Sequence, residues 1–124
     1  MDPLLKKMHF KGLGPVLLLN APKGFKPDFG LAVQTAPKGP AAFILLFVTS
    51  QAEAKKGLSA VKKAWSDATQ FWMAYPKGTS KLYKNPDINR DSAHTLLQSL
   101  GFDGVSLVAI DDDWSAMRFK KLEP

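Results

Sequence analysis

Six consecutive apolar residues, Phe43-Ile44-Leu45-Leu46-Phe47-Val48, constrain this chain more than any other segment. Neighbouring side chains of a strand point to opposite faces, so an unbroken apolar run presents hydrophobic groups on both. Such a strand is central and covered on both sides. A helix start follows it: Thr49-Ser50, with Glu53 three residues beyond Ser50 in the spacing of a capping box. Ala54, Leu58, Val61 and Trp65 then recur at helical spacing, with Lys55, Lys56, Lys62 and Lys63 elsewhere on the wheel. That pattern lays one face of the helix on a sheet.

The alternation extends in both directions. Val16-Leu17-Leu18-Leu19 reads as a short buried strand, preceded by a helical segment within residues 1–11 that places Leu4, Leu5 and Met8 on one face. Residues 20–41 carry Pro22, Gly24, Pro27, Gly30, Pro37, Gly39 and Pro40, and read as an irregular connection with at most a short helix over 28–34. Gln70 to Tyr75 is a further strand. Asn89 or Asp91 caps a second amphipathic helix with Ala93, Leu96, Leu97 and Leu100 inward and Gly101 as its stop. Val105 to Ile110 and Ser115 to Lys120 form a terminal hairpin around Asp111-Asp112-Asp113. Strands alternating with helices pair in parallel through right-handed crossovers. The expected architecture is one α/β domain over residues 1–124, Rossmann-like, with about five strands, mostly parallel and ending in an antiparallel hairpin.

Composition removes whole function classes. With 124 residues there is room for one core. No cysteine is present, which excludes disulfides, thiolate nucleophiles and thiolate metal sites. Met1-Asp2-Pro3 lacks the basic start of a signal peptide, and the longest apolar run is roughly half of what a membrane helix needs. The expectation is a cytoplasmic protein without a membrane attachment. The net charge of +6 comes almost wholly from lysines, with Arg90 and Arg118 the two arginines. Lysine is a mobile point charge and arginine the forked group that reads bases and phosphates, so the charge argues against nucleic acid as a partner.

Three patches resemble a family of small bacterial proteins classed as a domain of unknown function. They are Trp72-Met73-Ala74-Tyr75-Pro76-Lys77, Asn89-Arg90-Asp91, and Val108 to Phe119 with its Ala109-Ile110-Asp111 and Trp114-Ser115-Ala116-Met117-Arg118-Phe119. Leu19 to Phe25 is similar to the family's first strand and turn, and the resemblance spans Gly12 to Lys120. It implies the fold and no activity, since the family has none established.

In open α/β sheets ligands bind beyond the carboxyl ends of the strands. Residues 20–24, 49–50, 75–81 and 111–114 fall there, and the helix beginning at Arg90 points its N-terminus to the same rim. The candidate ligand-binding residues are accordingly Asn20, Lys23, Tyr75, Lys77, Thr79, Ser80, Lys81, Arg90 and Trp114. Lys77-Gly78-Thr79-Ser80-Lys81 has a glycine, two hydroxyls and two ammonium groups, but no helix follows at once, so it is not a Walker loop. The acidic triplet could hold magnesium, or simply make a turn with Asp111 fixing the hairpin. His9 and His94 show no serine–acid partner at an interpretable spacing, and no nucleophile elbow is present.

Three functional readings follow. In the first the chain is a small non-catalytic domain binding an anionic or phosphorylated ligand through Lys23, Lys77, Lys81 and Arg90. In the second it is a protein-interaction or structural module whose partner is another protein. In the third its lysine-rich helix binds nucleic acid weakly. The sequence assigns no catalytic residue, no cofactor and no metal, and an enzyme is the reading it supports least.

Overall fold

The computed structural model describes residues 2–25, 27–83 and 86–122. Helices α1 (Pro3–Lys7), α2 (Gln51–Lys63) and α3 (Arg90–Ser99) flank one sheet. Its strands are β1 (Val16–Leu19), β2 (Val33–Gln34), β3 (Phe43–Phe47), β4 (Gln70–Pro76), β5 (Phe102–Ala109) and β6 (Trp114–Lys121), in the order β2-β1-β3-β4-β6-β5. β1 to β4 run parallel, and β6 lies antiparallel between β4 and β5.

The α/β class and the terminal hairpin are as expected, and the strand count is corrected from five to six. The additional strand, β2, lies where the sequence reads as connection or short helix. Its two residues pair with Val16 and Leu17 of β1, so pairing rather than any pattern of its own makes it a strand. β5 also begins three residues earlier than Val105, since Phe102 and Asp103 already pair with Lys121 and Lys120.

β3 does what its composition demands. All five of its residues are at most 1% exposed. Phe43, Leu45 and Phe47 face a cluster with Leu5, Met8, Phe10, Phe29, Trp72 and Trp114 on the α1 side. Ile44 and Leu46 face Ala54, Leu58, Val61, Ala93 and Leu97 of α2 and α3 on the other. Each such side chain taken out of water stabilises the fold by about 1.5–3 kcal/mol.

The helix starts are where the side chains place them. Ser50 Oγ accepts the Glu53 amide, but the Glu53 carboxylate turns to the amide and hydroxyl of Thr49, so the capping box is half made. Asn89 caps α3 with Ser92 in a reciprocal pair of bonds. Trp65 lies just past the end of α2, half-buried, with its ring edge-on to Phe71 and Phe102.

α2 sits close to the sheet because of Gly57. A β-carbon there would come within 2.7 Å of both methyls of the fully buried Leu46. Glycine-to-alanine changes in helices ordinarily stabilise by about 1 kcal/mol. Gly57→Ala is expected to do the reverse, costing about 1–3 kcal/mol in chemical denaturation through overpacking.

Candidate functional site

Where β4 ends, the chain leaves the core and its side chains begin to carry chemistry. Phe71, Met73 and Tyr75 alternate onto the α2–α3 face, so Tyr75 comes out at the rim beside the N-terminus of α3. There a cleft of about 350 Å³ opens, lined by Tyr75 to Thr79, Asn89 to Asp91, Leu107 and Ser115. Ser115 is the cross-strand partner of Tyr75, and both belong to the same wall. A second cleft of about 240 Å³ continues from it along α3. It shares Arg90, Asp91 and Leu107 and adds His94, Gly104, Ser106 and Met117.

Tyr75 is the unusual group. It is 3% exposed, and its hydroxyl is buried with no hydrogen-bond partner among the described residues. Burial pushes its pKa up to about 12, with the Arg90 guanidinium pulling it down and the Asp91 carboxylate pushing it up. A buried hydroxyl without a partner costs about 1–3 kcal/mol, a cost that a bound ligand would offset. Arg90 and Asp91 pair with one another at 3.3 Å at the surface, an arrangement that contributes little to stability. The asparagine cap satisfies the Ser92 amide, and the Arg90 and Asp91 amides open α3 with its positive dipole end.

Four residues along, one turn of α3 places His94 above the strand pair. Its Nε2 lies 3.1 Å from Asp103 Oδ1, at the start of β5. Gly104 permits the ring to lie so low: a β-carbon there would stand 3.1 Å from His94 Cδ2 and 2.7 Å from Met117 Sδ. The hydrogen bond from His94 holds the Asp103 carboxyl below the usual carboxylate range, aided by a bond from Gln98. At neutral pH Asp103 is therefore a carboxylate that fixes the imidazole.

Of the residues singled out from sequence, Tyr75, Lys77, Thr79 and Arg90 come together in this cleft. Lys81 lines a neighbouring surface depression with Lys77, Thr79, Asp112 and Asp113. Ser80 is buried; its hydroxyl donates to Asp113 and accepts from the Leu82 and Tyr83 amides, which makes it the pin of the loop. Trp114 is buried between Phe47 and Tyr83. Asn20 lines a separate groove beside α2 with Leu19, Leu46 and Glu53, and Lys23 is exposed in the turn after it. Asp111 accepts the amides of Asp113 and Trp114, fixing the hairpin, and among the described residues no cluster of three metal-ligating side chains occurs. No described helix is long and apolar enough to cross a membrane.

Asn89 and Asp91, expected only as helix caps, also line the cleft, as do Leu107 and Ser115, while the His94–Asp103 pair was not expected. Arg90 and His94 are four apart on a helix, which places them on one face, and that was the available signal. The acid nine residues further on is brought back by the turn at Gly101, whose φ of 96° suits glycine.

No protein-family model matches the chain, and no curated protein matches its sequence. Solved structures do match its fold. A SAM-dependent methyltransferase from Aquifex aeolicus superposes with a TM-score of 0.67 at 14% identity, covering 94% of this chain and 86% of the other. The DhpI–SAH complex gives 0.64 at 10% identity over 98% and 83%. The N-methyltransferase NodS from Bradyrhizobium japonicum WM9 gives 0.63 at 11% over 97% and 93%. At such identities the likeness shows the fold alone. The expectation of a non-catalytic module for an anionic ligand is corrected by these neighbours, two of which are methyltransferases.

Two outcomes test the geometry. Tyr75→Phe removes a hydroxyl that has no protein partner, so its Tm is expected to be unchanged or raised by a few degrees, about 1 kcal/mol or more. A drop would mean that the hydroxyl is satisfied from within the fold. The lowered pKa of Asp103 gives stability that is present above the ordinary carboxylate pKa and lost as pH falls through the folded value. The Tm difference between the wild type and Asp103→Asn should therefore be fully present above the ordinary carboxylate range and vanish in acid.

Proposed function

We propose that this chain is a small-molecule enzyme on the methyltransferase fold, with its chemistry in the continuous cleft between α3 and the β5–β6 hairpin. The observation that carries the reading is the joining of three residues along that cleft: Tyr75, Arg90 and the carboxylate-oriented His94. Thr79 and Lys77 hold polar groups of the substrate at the mouth, beside the buried Tyr75. Arg90 anchors the substrate by its fork. His94, held by Asp103, is the proton-accepting group nearest a substrate hydroxyl or amine bound along α3.

The neighbours bring an S-adenosyl ligand into question. In open α/β sheets a nucleotide-type ligand sits where a glycine turn after the first strand feeds a helix N-terminus, with an acid near the second strand for the ribose. Here β1 runs into Asn20-Ala21-Pro22-Lys23-Gly24, the described residues before β2 form no helix, and β2 leads into Thr35-Ala36-Pro37. These residues do not fit that group, and no step is derived through it.

The test is amide NMR of the full chain against a panel of small hydroxy acids, amino acids and phenols, with mass spectrometry to follow conversion. Saturable shifts at Thr79, Arg90, His94 and Leu107 are expected. Conversion of a bound compound is expected to fall about 10²-fold or more in His94→Gln, and Arg90→Gln should weaken binding. Binding that leaves these residues unmoved would overturn the proposal.

A further inference from the structure

The strand order reverses direction at β1 and β3, since the chain passes from β1 outward to β2 and then back across to β3. Such a switch point leaves a crevice beyond the strand ends, and that crevice is the ordinary ligand place of the fold. In this chain an aromatic ring covers its α1 side. Asn20 turns the backbone out of β1 in the left-handed region, at φ 59°, which asparagine tolerates. The turn closes with a bond from the Phe25 amide to the Pro22 carbonyl, 3.1 Å long. That brings the Phe25 ring back over the sheet, edge-on to Phe47 with centroids 4.8 Å apart. Phe47 is the last residue of β3, so the ring lies on the end of the strand that borders the crevice.

The ring is also the end of a row. Phe47 meets Trp114 at 5.0 Å, and Trp114 meets Tyr83 at 4.9 Å, each edge-on. Phe25 thus continues an aromatic layer that runs from the β6 side of the sheet to the β1 side. Edge-to-face pairs of this kind add about 0.5–1.5 kcal/mol beyond their buried area, which is what a seated plug requires.

We infer that the β1–β2 crossover covers the α1 side of the fold's switch point with the chain's own aromatic ring, and that no S-adenosyl ligand is held at the ends of β1 and β3. This inference stands on the crossover and not on the cleft, so either can fail alone.

Two measurements decide it. In an amide NMR titration with S-adenosylhomocysteine to millimolar concentration, Asn20, Gly24 and Thr49 are expected to show no saturable shift; saturable shifts at these residues would overturn the inference. Shifts confined to Thr79, Arg90 and His94 would leave the plug in place and put the compound in the cleft. The second measurement asks whether the ring is seated in solution. Phe25→Ala is expected to lower the Tm by about 4 °C or more, with Phe25→Leu between it and the wild type. An unchanged Tm in Phe25→Ala would show a ring that covers nothing and would remove the plug.

Discussion

The requirement that β3 be dry on both faces organises the molecule. A strand of Phe, Ile, Leu, Leu and Phe loses its stabilisation if either face meets water, so the chain has to supply two covering layers from 124 residues. α2 and α3 provide one. The other is made from a helix of five residues and an irregular crossover, with phenylalanines taking the volume that a longer helix would occupy. Phe10, Phe29 and Phe43 meet with centroids 5.1–5.9 Å apart, and large rings of this kind bury much surface with little backbone. Economy on the α1 side and the aromatic cover over Phe47 are two results of the same packing solution.

On the opposite side of the sheet a cleft opens where β4 ends in a polar turn beside the N-terminus of α3. The groups there are not buried deeply enough to stabilise the fold, and Tyr75 works against it. A protein gains from keeping such a hydroxyl only where something else completes its hydrogen bonding. The imidazole is held by a carboxylate from a different element, so its orientation depends on tertiary structure rather than on α3 alone. Likeness to methyltransferase structures shows the fold, and one architecture hosts many chemistries.

Much of this was legible in the sequence, and the parts that were not share a cause. Apolar runs and helical periodicity marked β3, β4, α2 and α3 because those patterns record burial directly. β2 left no such record: Val33 is exposed and Gln34 half-buried, and the strand exists through its partner. Tyr75, Lys77, Thr79 and Arg90 were placed at the rim because strand ends are predictable once strands are. Trp114 and Ser80 were grouped with them, since an aromatic or a serine at a strand end looks the same in sequence whether it faces a ligand or closes a loop. The His94–Asp103 pair was missed because a bond across a helix-to-strand turn leaves no fixed spacing to recognise.

The position of β6 bears on how the chain acquires its structure. β6 lies inside the sheet, bonded to β4 on one side and β5 on the other, yet it is the last strand to be synthesised. Until Trp114 to Lys121 are available, β4 has an open edge and the rims of both hydrophobic clusters are uncovered. β5 cannot dock ahead of it, because β6 is its only link to the sheet. Until β6 docks, β4, the partner of the most apolar strand, keeps an open edge. Its pairings over long sequence separations are the kind that slow folding. Translation, rather than the finished fold, is where this sequence is most exposed to aggregation.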